Sequence, residues 1–128
     1  MKVRVLRNSF AGCPDNAKTG GFSDQSVVHL TIGTEREVHA VSVFSGVVFL
    51  MVLNDLDFFV WLPAWLFQVL DGSLPSDWII GVFDDDPVAV IGPRFVAESL
   101  ESYTRMVEED PTLIRMMRDR IDHQIEST

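Results

Sequence analysis

The sequence predicts an α+β domain in which a curved antiparallel β-sheet is followed by two C-terminal α-helices. Three observations carry this. Apolar runs bounded by turn residues recur between about residue 26 and residue 92. From about residue 93 the apolar period becomes helical. The two kinds of element are also segregated along the chain, whereas a βαβ protein would alternate them.

The elements follow in order. Lys2 to Arg7 alternates Val3 and Val5 with basic residues, the pattern of a half-buried strand. Residues 8–25 collect Asn8, Gly12, Pro14, Asp15, Asn16, Gly20, Gly21 and Asp24, and are expected to form a loop. That loop is long for a compact domain, which points to mobility or function. Val27 to Ile32 reads as a strand, Gly33 to Arg36 as a turn and Val38 to Phe44 as a second strand. Ser45-Gly46 is a tight reversal into a third strand, Val47 to Leu53. This run is made of Val, Phe, Leu and Met alone, as in a strand covered on both faces. Asn54-Asp55 turns the chain into Phe58 to Leu62. Pro63 and the segment Ala64 to Leu70 fit either a short helix or an edge strand, and Asp71 to Asp77 is a loop. Trp78 to Phe83 and Val88 to Ile91 form a hairpin turned by Asp84-Asp85-Asp86-Pro87.

A first helix is expected over about residues 93–109. It carries Phe95, Val96, Leu100, Tyr103, Met106 and Val107 on one side and Glu98, Glu101 and Arg105 on the other. Asp110-Pro111, an acidic cap followed by proline, opens a second helix over about 111–126. Its stripe is Ile114, Met117, Ile121 and Ile125, with Arg115, Arg118, Asp119 and Asp122 toward water.

The chain has 128 residues, the size of one ordinary domain. Apolar residues at 47% and charged residues at 23% argue against disorder. A net charge of −9 makes binding to nucleic acid or to an anionic membrane surface an unfavourable encounter. The single cysteine, Cys13, excludes an internal disulfide and a cysteine-based zinc site. Ser9-Phe10-Ala11-Gly12-Cys13 imitates a lipoprotein cleavage site. However, Arg4 and Arg7 interrupt the apolar stretch a signal would need. The most apolar region, Val47 to Leu70, has Val47 to Leu53 as its longest unbroken run, far short of the ~20 residues of a spanning helix. A cytoplasmic location is therefore expected.

Charge is unevenly distributed. No lysine or arginine occurs between Arg36 and Arg94. That block carries Glu37, Asp55, Asp57, Asp71, Asp77, Asp84, Asp85 and Asp86, which is −8 of the −9. The acids lie mostly in turns between apolar strands, so the ends of the sheet are expected to be negative. The first explanation is solubility, since an apolar β-domain needs charge and loops are where charge fits. A basic partner steered onto an acidic surface is the functional explanation, and Asp84, Asp85 and Asp86 are its first candidate contacts, with Asp55 and Asp57 second. A divalent cation is the third explanation, although the aspartate run lacks the spaced ligands and glycine of an EF-hand.

Motifs for chemistry are sparse. His29 and His39 fall on expected strands and His123 on the last helix, without metalloprotease spacing. Asp55-Leu56-Asp57 resembles the acid-x-acid pairs that hold metal–nucleotide complexes, but three residues make a weak motif and a solvated turn fits them better. No nucleophile elbow, P-loop or dinucleotide fingerprint is present. Cys13 has no histidine or base near it in sequence that would lower its pKa. Trp61, Trp65 and Trp78 read as core or rim of the sheet. No catalytic residue, metal or cofactor is therefore expected.

Residues 48–78 join an apolar strand, the Asn54-Asp55 turn, Trp61-Leu62-Pro63, Leu66-Phe67-Gln68-Val69 and Pro75-Ser76-Asp77-Trp78. This pattern resembles the short SH3-like β-domain, a partly open barrel, of small bacterial proteins. It is also similar to immunity proteins encoded beside polymorphic toxins. The resemblance implies a cytosolic antidote, without catalytic residues, that binds a cognate toxin with a basic surface and occludes its active-site face. Two other classes stay open: a divalent-metal enzyme using the aspartate clusters, and an accessory protein that self-associates into a homo-oligomer.

Overall fold

The computed structural model describes residues 1–15 and 22–126, the side chains as far as residue 123. The central part of the expected loop and the Ile125 side chain lie outside the described residues. The strands are β1 (Lys2–Val5), β2 (Glu35–Glu37), β3 (Ala40–Phe44), β4 (Val47–Leu53), β5 (Phe59–Pro63), β6 (Phe67–Asp71), β7 (Ile79–Val82) and β8 (Ala89–Gly92). The helices are α1 (Arg94–Ala97), α2 (Leu100–Val107) and α3 (Pro111–Glu126). The class is α+β and every strand pairing is antiparallel. The strands form two sheets, of order β2-β1-β6 and β5-β4-β3-β8-β7, and neither closes into a barrel.

The larger sheet is built around β4. Its neighbours β3 and β5 pair along its length, matching Val41 to Leu50 and Leu50 to Leu62 on one face. Because strand side chains alternate, each neighbouring residue belongs to a different layer. Leu50 and Val52 enter a core with Val3, Val5, Leu66 and Phe67 of the small sheet and its linker. Met51 enters a second core with Ala40, Val90, Val96, Met106 and Met117, where the helices lie. The molecule is thus layered as small sheet, large sheet and helices. The chain passes between sheets three times: at Val38-His39, through a 3-10 turn at Ala64–Leu66, and back along residues 72–78 between β6 and β7.

Several elements differ from the sequence reading. Residues 27–32 are not a strand; they join no ladder, and Ile32 lies in a turn. His29 O instead accepts from Asp55 N at 2.7 Å and Leu30 O from Asn8 Nδ2 at 3.3 Å, while Leu30 is buried. The expected turn at Gly33–Arg36 is shorter, because Glu35–Glu37 pairs with β1 as β2. The expected strand Val38 to Phe44 starts only at Ala40, since Val38 N donates to Met1 O of one sheet and His39 N to Met51 O of the other. Ala64 to Leu70 combines both forms left open, a 3-10 turn and then strand β6. The single helix expected over 93–109 is two, because Ser99 is extended (φ −153°, ψ 161°) and its Oγ accepts from Ser102 N at 3.0 Å as a helix cap.

Other expectations hold. Ser45 and Gly46 both take positive φ, 50° and 77°, as a two-residue hairpin turn requires. Asp110 Oδ1 accepts from Thr112 N at 2.9 Å ahead of Pro111 and caps α3. The long loop is pinned at its near end, because Phe10 is fully buried, Cys13 is buried, and Phe10 stacks on Phe22 with centroids 4.7 Å apart.

The seat of α1 on β7 depends on a missing side chain. A Cβ at Gly81 would stand 2.1 Å from the Ala97 carbonyl oxygen, whereas one at Gly72 would meet only Val69 Cγ1 at 3.7 Å. In urea denaturation, Gly81→Ala is expected to lose about 1–3 kcal/mol by overpacking. Gly72→Ala should stay within about 0.5 kcal/mol of the parent. Equal stability of the two variants would contradict this packing.

Candidate partner-binding surface

The two ends of the large sheet differ in how their acids are treated. At one end lies the β4–β5 turn. Asn54 Oδ1 accepts from Leu56 N and Phe58 N, both at 3.0 Å, and Asp57 is held at φ 66°. Asp55 accepts from Thr31 Oγ1 at 2.7 Å and is paired with Arg36. The Thr31 hydroxyl, seconded by Arg36, holds its carboxyl below the usual carboxylate range. Asp57 Oδ2 lies 3.0 Å from Arg118 Nη1. Arg118, expected to face water, sits over the Phe59 ring at 5.3 Å. Nearby Asp77 takes a two-pronged contact from Arg120, at 2.5 and 2.7 Å, which lowers its pKa. Arginines from outside the lysine- and arginine-free block therefore fold back onto this end.

The opposite end holds the Ser45-Gly46 turn and the β7–β8 hairpin. Asp84, Asp85 and Asp86 are all exposed. Asp86 is structural: its Oδ1 accepts from Ser45 N at 3.0 Å and its Oδ2 from Ser45 Oγ at 3.3 Å, tying the two turns together. Among the described residues, the carboxylates of Asp84 and Asp85 have no such partner and no cation. The seven residues of β4 separate the two ends by roughly 20 Å. Asp55 and Asp57 therefore cannot converge with Asp84–Asp86 on one ion. Among the described residues no three His, Cys, Asp or Glu side chains are grouped as metal ligands.

An apolar surface that the sequence reading missed adjoins the hairpin. Val82 pairs with Ala89, Ala89 with Val43 and Val43 with Val48, so these four share one face. The next rung on that face is Ile80, Ile91, Val41 and Leu50. The small sheet covers the Leu50 end and leaves the β7 end bare: Ile80 is 65% and Val82 78% exposed. Val48 is exposed too. A signal was present in the sequence, since Trp78 to Phe83, read as one arm of a hairpin, has no polar alternate.

The helix side of the sheet carries a cavity of about 220 Å³ lined by Phe22, Phe44, Phe49, Trp61, Tyr103 and Val107. This lining is aromatic and aliphatic and holds no carboxylate or imidazole. The histidines are dispersed: His29 is on the segment outside the sheets, His39 at the passage from β2 to β3 and His123 on α3. Cys13 is buried.

No family model matches the chain, and neither does a curated protein or a solved structure. No helix among the described residues is long and apolar enough to cross a membrane.

His39 is a buried titratable group, its ring edge-on to Phe59 at 5.6 Å. Burial, followed by Arg120 and the N-terminal ammonium, pushes its pKa down to about 4. In the unfolded chain it takes up its proton near pH 6.5. Between those values the unfolded chain binds the extra proton, so stability falls as pH drops from 6.5 toward 4. The loss reaches roughly 3 kcal/mol at the lower limit. The depressed carboxylates, Asp55 and Asp77 among them, act in the same direction but below that window. Urea denaturation across this range should show the slope in the parent and its loss in His39→Leu. A slope retained in the variant would assign it to other groups.

Proposed function

We propose that the chain is a non-enzymatic binding protein that neutralises a toxin domain by covering its basic active-site face, the action of an immunity protein. The observation that carries this reading is the bare apolar face at Ile80 and Val82 beside Asp84 and Asp85, two acids without an internal cation. Binding surfaces combine a desolvated apolar centre with a polar rim, and like charge at the rim accelerates encounter with an opposite surface. A large excess of negative charge extends that steering over the whole molecule. The contact set is narrower than the aspartate pattern suggests. Asp55 and Asp57 are engaged by Arg36 and Arg118, and Asp86 braces the Ser45 turn.

A metal-dependent reaction at the aspartates has less support, because the two clusters stand at opposite ends of the sheet. Self-association through the same face would bring Asp84 and Asp85 toward an equally acidic copy.

The test begins with tagged protein retrieved from its native host and washed at rising salt. One stoichiometric basic partner, released by salt, is expected. With that partner in hand, the double variant Asp84→Asn, Asp85→Asn should associate about tenfold more slowly at low salt and with a flatter salt dependence. Recovery of the protein alone, or unchanged kinetics in the variant, would contradict the reading.

A further inference from the structure

The bare face ends at a strand whose outer backbone is unpaired. β7 is the last strand of the large sheet and pairs only with β8. Phe83 N donates to Val88 O at 2.9 Å, and in an antiparallel ladder alternate residues bond the neighbour. That parity turns the N–H and C=O of Ile79 and Gly81 toward β8 and those of Ile80 and Val82 outward. Among the described residues, Ile80 and Val82 make no backbone hydrogen bond to a loop or turn. The two residues with outward backbone groups are thus the two with exposed apolar side chains.

The surroundings restrict what can dock there. On the other face of β7, α1 closes over Gly81 so tightly that a Cβ has no room. The opposite edge of the sheet is flanked by residues 27–29, which line one cavity with Phe59 to Leu62. Of the two edges of the large sheet, the β7 edge is, among the described residues, the one where unpaired backbone groups meet the open apolar side chains of Ile80 and Val82. Charge selects the occupant. Asp84 and Asp85 continue directly from the end of β7, so an antiparallel strand reaching past Val82 meets two carboxylates. A second copy paired about Gly81 would set its Asp77, already satisfied by its own Arg120, opposite Asp85, and so would offer no cation.

We infer that β7 accepts an extended segment of alternating apolar and basic residues as a sixth strand of the large sheet. Main-chain hydrogen bonds to Ile80 and Val82 give the register, apolar side chains cover the Ile80–Val82 face, and basic side chains meet Asp84 and Asp85. This deepens the proposed function by giving the partner's binding mode and rests on that reading only for the partner's identity.

The test uses the full chain and a seven-residue peptide alternating valine and lysine, with amide hydrogen exchange as the readout. Saturating peptide is expected to slow exchange at Ile80 and Val82 about tenfold or more, with the effect weakened by salt. A glutamate version and a version N-methylated on the β7-facing amides should not do so. Equal protection by either control, or no protection by the lysine peptide, would overturn the inference. Protection of the same amides with no peptide present, together with a dimer in sedimentation, would overturn it in favour of self-pairing. With a partner purified as above, Val82→Pro, checked for folding by circular dichroism, should weaken binding at least tenfold. Full affinity in that variant would overturn strand addition while leaving the binding function intact. Peptide protection in a protein that retrieves no partner would support the edge site and count against the antidote reading.

Discussion

Strand β4 carries no polar side chain from Val47 to Leu53, and both of its faces must therefore leave water. A single sheet with one solvated face could not hold it. The fold supplies two covers of different kinds. Leu50 and Val52 are roofed by the small sheet and the 3-10 linker, and Met51 by the helices packed across the other side. The passages at Val38-His39 and Ala64–Leu66 exist because the chain on either side of β3–β5 must climb to form the first cover, and a third, between β6 and β7, returns it to the large sheet. His39 is buried at one of these passages as a consequence, and the acid sensitivity it confers is a by-product of the layering.

The same constraint distributes charge. With both faces of the central sheet occupied by apolar side chains, acids are confined to strand ends. At the Asn54–Phe58 end α3 passes close by and delivers Arg118 and Arg120 to Asp57 and Asp77, while Arg36 reaches Asp55. At the β7–β8 hairpin no lysine or arginine among the described residues pairs with Asp84 or Asp85, which stand next to an uncovered part of the sheet. The proposed function rests on that juxtaposition, the exposed Ile80 and Val82 side chains beside two acids that no described cation pairs with.

Local signals were read well where one residue determines geometry. Ser45-Gly46, Asp110-Pro111 and the uninterrupted Val47–Leu53 run each specify their element through turn dihedrals, a cap or two-sided burial. The failures share a different cause. Val27 to Ile32 has strand composition, yet whether it is a strand depends on a partner it does not find, and Leu30 anchors it instead. Ser99 looked tolerable inside a helix until its cap bond to Ser102 ended one helix and began another. Of the candidate site, the acidic residues were legible from the missing lysines and arginines. Their division into neutralised and bare sets was not, because Arg118 and Arg120 lie 61 and 43 residues from their partners. The exposure of Ile80 and Val82 was equally hidden, since it depends on how far the small sheet extends over the large one.

The layering rests on β4 joining two cores into one cooperative unit, and equilibrium unfolding of Leu50→Ala and Met51→Ala tests this most directly. These neighbours are both essentially fully buried but face opposite covers. Each variant is expected to lose about 2–5 kcal/mol, and in each the tryptophan fluorescence and far-ultraviolet dichroism should fall in one coincident transition. A silent substitution at either position, or separate transitions for the two probes, would show that the covers are not held together by this strand.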